Sequence, residues 1–293
     1  MGTELDSRGV DTHDALWSAL ALTTAPEAVR QVHTDYLEAG ARVITTNTYQ
    51  ATLPALLRAG HDAHRAREVI AAGARLAGEA ARRFEAEHPE AQVLIAGGLG
   101  PYGAYLADGS EYTGLYDVGA LDAPVFRDVH LPRIEMLAGE GIDLFALETL
   151  PRLDEAQALV GAVEDLAAES ECWVSFQVRP DGAHLADGTP LAEAAAWAAD
   201  QETVVAVGVN CVAPDVVARA LPVLREATTK PLVAYPNSGD LYDPATKTWK
   251  AGEEGDGLAA LAPSWGASGV RLIGGCCRTR PAQIRELAHA LSA

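Results

Sequence analysis

The sequence predicts an α/β protein whose strands run parallel, and three observations predict it. Short apolar runs alternate along the chain with longer Ala/Leu/Glu/Arg-rich stretches. The runs carry β-branched or aromatic residues and few charges in their apolar part, the pattern of strands buried on both faces. Each run then breaks into Gly, Pro, Asn or Thr. Alternating strand and helix means a parallel sheet, open or closed. An open doubly wound sheet would often show a Gly-rich phosphate turn after its first strand, and the chain has none of the required form. A closed (β/α)8 barrel of the TIM type takes about 250 residues. The chain of 293 residues is therefore read as one such barrel domain spanning residues 1–293.

Seven strands are legible. They are "ARVITTNTYQ" from Ala41, "QVLIAGGLGP" from Gln92, "IDLFALETLP" from Ile142, "CWVSFQVRP" from Cys172, "TVVAVGVNC" from Thr203, "PLVAYPNSG" from Pro231 and "GVRLIGGCC" from Gly269. An eighth is missing. Helical-looking sequence begins soon after "MGTEL", so the expectation is a first strand truncated in this numbering. Among the helices, "APEAVRQVHTDYLEAGA" opens near Pro26, puts Val29, Val32, Tyr36 and Leu37 on one face, and stops at Gly40. "HLPRIEMLAGEGID" and "RPAQIRELAHALSA" read the same way. His33 and His64 fall in helical stretches and are expected to be solvated, while His130 and His184 are placed in or near loops; none is given a role.

Composition narrows the partners. Acidic residues outnumber basic ones by 41 to 22, for a net charge of −19, and no Lys/Arg cluster interrupts the excess. Such a chain is a poor ligand for nucleic acid or an anionic membrane and suits a cationic small molecule. No apolar stretch approaches the roughly 20 residues that span a bilayer. The polar N-terminus lacks a signal-peptide core, so the expected compartment is the cytoplasm. In that reducing setting the four cysteines, Cys172, Cys211, Cys276 and Cys277, point to metal binding, catalysis or packing before disulfides.

In a barrel the chemistry sits where strands end. Cys172 opens its strand and is read as a structural residue at the opposite rim. Cys211, Cys276 and Cys277 close theirs. Three thiolates converging there match a zinc site with three protein ligands and one open position. Gly274 and Gly275 would release the backbone from strand geometry, so that two consecutive side chains need not point to opposite faces. Three readings stand at this point: a catalytic zinc, a non-catalytic thiolate zinc protein with a fourth protein ligand, and a barrel enzyme of other chemistry with a phosphate site at "IGG" of the last strand.

"GVNC" followed much later by "GGCCR" resembles the homocysteine S-methyltransferase family, and the likeness runs over nearly the whole chain. "GTEL", "LWSA", "YLEAGARVITTNTYQAT", "GGLGPYGAYLADGSEYTG", "ETLP" and "YPNSGDLYDPATKTW" look like that family in order. The resemblance implies a zinc-dependent (β/α)8 enzyme, with Zn²⁺ on Cys211, Cys276 and Cys277, that methylates homocysteine to methionine. The length resembles that of stand-alone members using S-methylmethionine or S-adenosylmethionine, which makes the partners homocysteine and a small cationic methyl donor. By charge and by resemblance, Glu148 in "LETLP" is the expected ligand of the homocysteine ammonium. Asn210, beside Cys211, is expected to orient a ligand or substrate. Tyr49, with Tyr102 and Tyr235, offers a ring face to a sulfonium. Asn237 and Ser238 are read as turn formers or site residues, and "DLYDPATKTW" as a lid or an exposed loop. Family members begin with a strand ending in Asp-Gly just upstream of "GTEL", whose aspartate binds the substrate amino group. That strand has no counterpart here, and weak homocysteine binding is the expected consequence of a truncated start.

Overall fold

In a computed structural model, which describes all residues except 13–15, 118–123, 244–247, 251–256 and 293, every expected run becomes a parallel strand. They are β1 (Val43–Thr45), β2 (Leu94–Leu99), β3 (Leu144–Leu150), β4 (Glu171–Phe176), β5 (Val204–Asn210) and β6 (Leu232–Tyr235). After a hairpin of β7 (Leu241–Asp243) and β8 (Thr248–Lys250) comes β9 (Val270–Ile273). The large sheet runs β1-β2-β3-β4-β5-β6-β9, so its strands pair in chain order with only the hairpin skipped between β6 and β9, and among the described residues β7 and β8 pair with each other, antiparallel. "DLYDPATKTW" is thus a hairpin at both ends, with residues 244–247 outside the described part.

Alternation along the strands divides the sheet into two faces. On one, Phe145, Leu147, Val174, Phe176, Val207 and Val209 are buried under helices that include Leu153–Leu166, Leu191–Asp200 and Pro214–Ala227. Each such fully buried side chain is worth about 1.5–3 kcal/mol, so this face carries most of the apolar stabilisation. The other face gathers Ala96, Leu144, Ala146, Trp173, Ala206 and Val233 into one small cluster, with Val43 of β1 and Leu272 of β9 packed against it. Side chains from both edge strands reach the same cluster only because the sheet curls. The architecture is an α/β fold with a curled, seven-stranded parallel half-barrel, in which β1 and β9 each keep one edge unpaired among the described residues.

The helices match their sequence signals. Pro26–Glu38 has Pro26 in its first turn, buries Val29, Val32 and Leu37, and ends before Gly40 at φ +105°, a left-handed conformation that suits glycine. Cys172 is fully buried at the start of β4, and burial pushes its thiol up to about 12, as befits a packing residue. Two histidine expectations fail. His64 is exposed, but His33 is 3% exposed and its Nε2 has no hydrogen-bond partner. His130 is not in a loop: it lies inside the helix Pro124–Gly139, 1% exposed.

His130 belongs to a buried polar knot. Arg133, on the same helix, donates to the carbonyls of Val129, Tyr49 and Gly100 and, at 2.7 Å, to His130 Nδ1. That leaves the proton on His130 Nε2, which faces Glu155 Oε1 at 3.2 Å. Glu155 also accepts from the Tyr102 amide and the Tyr116 hydroxyl. Burial holds His130 down at about 4, so the ring is neutral. Through Tyr49 and Gly100 the knot fixes the loops that leave β1 and β2.

Candidate active site

Strand parity decides what reaches the concave face. On β3 the even residues Leu144 and Ala146 point inward, and Glu148 follows them. Trp173 of β4 is succeeded by Ser175, Ala206 of β5 by Asn210 two alternations on, and Val233 of β6 by Tyr235. These side chains meet. Asn210 Oδ1 accepts from the Thr149 amide and the Ser175 hydroxyl, both at 2.7 Å, while Asn210 Nδ2 donates to Thr149 Oγ1 at 2.8 Å. The Tyr235 hydroxyl lies 2.6 Å from Ser175 Oγ and accepts from Trp173 Nε1 at 3.0 Å. Asn210 is fully buried, and these contacts are all to the protein. What it holds is the turn at Thr149, φ +61°, directly after Glu148.

Cys211 sits at φ +54°, which costs a non-glycine residue about 1–3 kcal/mol. The strain has a use. Asn210 points inward, so a continued strand would aim Cys211 toward the helices; the left-handed turn brings it back. Its Sγ lies 3.7 Å from Cys277 Sγ, and the ligand atoms of Cys211, Cys276 and Cys277 all fall within 4.8 Å of one another. Tetrahedral zinc–sulfur bonds of about 2.3 Å place sulfurs about 3.8 Å apart. The three thiols therefore fit a thiophilic metal, and among the described residues they are the only such cluster. Without a metal they share protons: donation from Cys211 and Cys276 pulls the Cys277 thiol well down, while Cys211 is pushed up.

Neighbouring segments fix the cysteine loops. Asn237 Nδ2 donates to the Cys211 carbonyl, and the Ser238 amide to that of Cys277. Both residues are thus turn formers and supports of the site. The Cys276 amide donates to Pro236 at 2.7 Å. Gly274 and Gly275 do not act by left-handed backbone, as neither has positive φ; a Cβ on Gly275 would lie 2.2 Å from Thr279 Oγ1, so the need is for space. The N-terminal helix Gly2–Ser7 buttresses the same loop. Thr3 Oγ1 accepts from the Arg278 amide, and Glu4 from Arg280 at 2.8 Å.

The thiols open into a cavity of about 560 Å³ that also reaches between the free edges of β1 and β9. Glu148, Tyr49 and Tyr235 line it; Tyr102 does not, its ring packing on Tyr105, Tyr116 and Phe126. Burial pushes the Glu148 carboxyl up to about 8, and Cys276 beside it adds to the rise. Tyr49 stands over Gly100, where a Cβ would meet its ring at 2.7 Å. Two lining residues escaped the sequence reading. Glu111 and Gln50, each 8% exposed, present Oε2 and Oε1 with no hydrogen-bond partner. The signal was Gly103 in "GPYGAYLADGSEY": a Cβ there would lie 2.5 Å from the Glu111 amide, so the glycine lets Glu111 be drawn under the loop.

A parallel α/β sheet with three thiols at its C-terminal rim, opening to a cavity with a carboxylate, defines a thiol cluster that could hold a metal beside a pocket. The homocysteine S-methyltransferase family model matches residues 1–291, and the chain belongs to that family. It is 46% identical over 291 residues to the homocysteine S-methyltransferase of Escherichia coli strain K12, covering 98% of this chain and 92% of that one. It is 41% identical over 292 residues to homocysteine S-methyltransferase YbgG of Bacillus subtilis strain 168, covering 98% and 91%. The structure superposes on the metallated form of the homocysteine methyltransferase MmuM from Escherichia coli with a TM-score of 0.88, at 42% identity, over 99% of this chain and 93% of that one.

Proposed function

We propose that this member of the family carries zinc on Cys211, Cys276 and Cys277, and that it moves a methyl group from a small sulfonium donor, S-methylmethionine or S-adenosylmethionine, to homocysteine. We further read its curled sheet as part of a (β/α)8 arrangement. The observation that carries the proposal is the thiol triad, spaced as metal ligands and open to a cavity with Glu148 on its wall.

Cys211, Cys276 and Cys277 would hold the zinc, which would supply the Lewis acidity that keeps a substrate thiol as its thiolate. Glu148 faces the same space and receives the homocysteine ammonium; pairing with that cation returns its carboxyl to the ionised form. Asn210 keeps Glu148 in place by holding the Thr149 turn. The homocysteine sulfur, its proton lost to solvent, attacks the donor methyl carbon. A sulfur–carbon bond forms as the donor's sulfur–methyl bond breaks, and the bonding pair stays on the donor sulfur, which leaves as a neutral thioether. No general acid is required, so the rest of catalysis is orientation of the two sulfurs in line through the methyl. Tyr49 and Tyr235 present ring faces that favour a cation in the cavity.

The test is zinc content and methyl transfer from S-methylmethionine, measured on reduced wild type and Cys277→Ser. About one zinc per chain, lost together with transfer in the variant, is expected. Fully reduced wild type without zinc would overturn the reading.

A further inference from the structure

The cavity holds more acceptor capacity than homocysteine needs. Glu148 stands beside Cys276, close enough for the thiol to raise its pKa. Glu111 reaches the wall from a different element, the 3-10 turn Ser110–Tyr112. Its chain neighbour Tyr112 lines the same cavity. Gln50 is tied to the same spot as Glu111. Its Nε2 donates to the Ala104 carbonyl at 2.6 Å, and Glu111 packs on the adjacent Gly103. Both side chains line the cavity, both are more than nine-tenths buried, and each keeps one oxygen with no partner. A buried unpartnered acceptor costs about 1–3 kcal/mol, so two of them on one cavity wall, each anchored at Gly103–Ala104, describe a place for a donor-rich group.

We propose that Glu111 and Gln50 form a second ammonium site, which binds the α-ammonium of an amino-acid sulfonium while its methyl faces the thiols. The inference rests on the methyl-transfer reading and says which part of the donor is recognised. The group bound is the ammonium, not the sulfonium, for an energetic reason. The sulfonium loses its charge as the methyl leaves, so a carboxylate against it would stabilise the ground state more than the transition state. The ammonium keeps its charge throughout. Glu111 there strengthens donor binding equally in both states, and a cation with several N–H donors satisfies the oxygens of Glu111 and Gln50 together.

The experiment compares wild type with Glu111→Gln, using S-methylmethionine and 4-(dimethylsulfonio)butanoate, which differs from it only in lacking the amino group. Steady-state kinetics are paired with calorimetric binding of each donor to the zinc-loaded enzyme, and zinc content with the unfolding midpoint reports folding. Glu111→Gln should raise KM and Kd for S-methylmethionine about 10–100-fold. The kcat should stay within about threefold and KM for homocysteine should be unchanged. The deaminated donor should respond equally to both proteins. Equal losses with the two donors, or a change in homocysteine KM alone, would overturn the site. So would a wild type that binds the two donors equally well or S-methylmethionine not at all, a result read by calorimetry whether or not methyl transfer occurs. Tight binding of S-methylmethionine without transfer would instead keep the site and remove the reaction.

Discussion

The polar knot around Glu155 and the cavity wall around Glu111 both bury a carboxylate, yet they are built in opposite ways. Glu155 is fully buried and partnered: the Tyr102 amide and the Tyr116 hydroxyl donate to it, His130 Nε2 faces it at 3.2 Å outside hydrogen-bond geometry, and Arg133 closes the network onto backbone carbonyls. Glu111 and Gln50 face a cavity with one acceptor oxygen each to spare, and burial lifts the carboxyls of Glu148, on the same wall, and Glu111 to about 8 and about 7, at Glu148 against the pull of the Tyr235 hydroxyl. A buried charge that has its partners within the protein holds loops in place. One that lacks them is kept at a cost in stability and marks where a ligand supplies the partner.

The largest effect that sharpens this contrast is on stability. Arg133→Met strands the carbonyls of Tyr49 and Gly100 and takes the partner from His130, and should cost about 3–5 kcal/mol in denaturant unfolding. Glu148→Gln should stay within about 1 kcal/mol of wild type at neutral pH, since the wild-type carboxyl is already largely protonated in the metal-free protein. Equal losses in the two variants would erase the distinction. Next comes Asn210→Ala, which frees the Thr149 turn without touching a thiol. It should lower kcat/KM about 10–100-fold with zinc content retained, as loss of a group that orients a binding residue does.

A smaller effect is the pH dependence set by Glu111. Its folded pKa of about 7 exceeds its ordinary value of 4.5 because of burial. It therefore contributes stability that is full below pH 4.5 and is lost as pH rises through 7. Metal-free wild type should lose about 1–3 kcal/mol over that window beyond what Glu111→Gln loses. Parallel stability curves for the two proteins would show that Glu111 is solvated or already paired.

Much of this was legible in the sequence. The seven strands announce themselves because strands of a parallel sheet are buried on both faces and so are apolar throughout. Cys211, Cys276 and Cys277 were findable because each ends such a run, and Cys172 could be set aside because it begins one. The curl was legible only through the barrel reading, which the seven-stranded half-barrel fits; how β1 and β9 leave their outer edges was not, because no local pattern records which edges meet. Glu111 and Gln50 were missed for a different reason. They sit in loops, where periodicity is silent, and their burial comes from packing against Gly103 and Ala104. Arg133 left a trace that could have been read: it occupies the position between Val129 and Leu137 on a helix face that is otherwise core. His33 shows the limit of such traces, since a histidine on a helix reads the same whether its face meets water or a cavity.

Under the proposed function, Cys211, Cys276 and Cys277 hold a metal that takes the substrate sulfur. Zinc-edge X-ray absorption of the zinc-loaded protein, with and without homocysteine, tests it most directly. The account predicts three sulfurs at about 2.3 Å with one lighter atom, changing to four sulfurs when homocysteine is added. Four sulfurs already present without homocysteine, or a spectrum that homocysteine leaves unchanged, would contradict it.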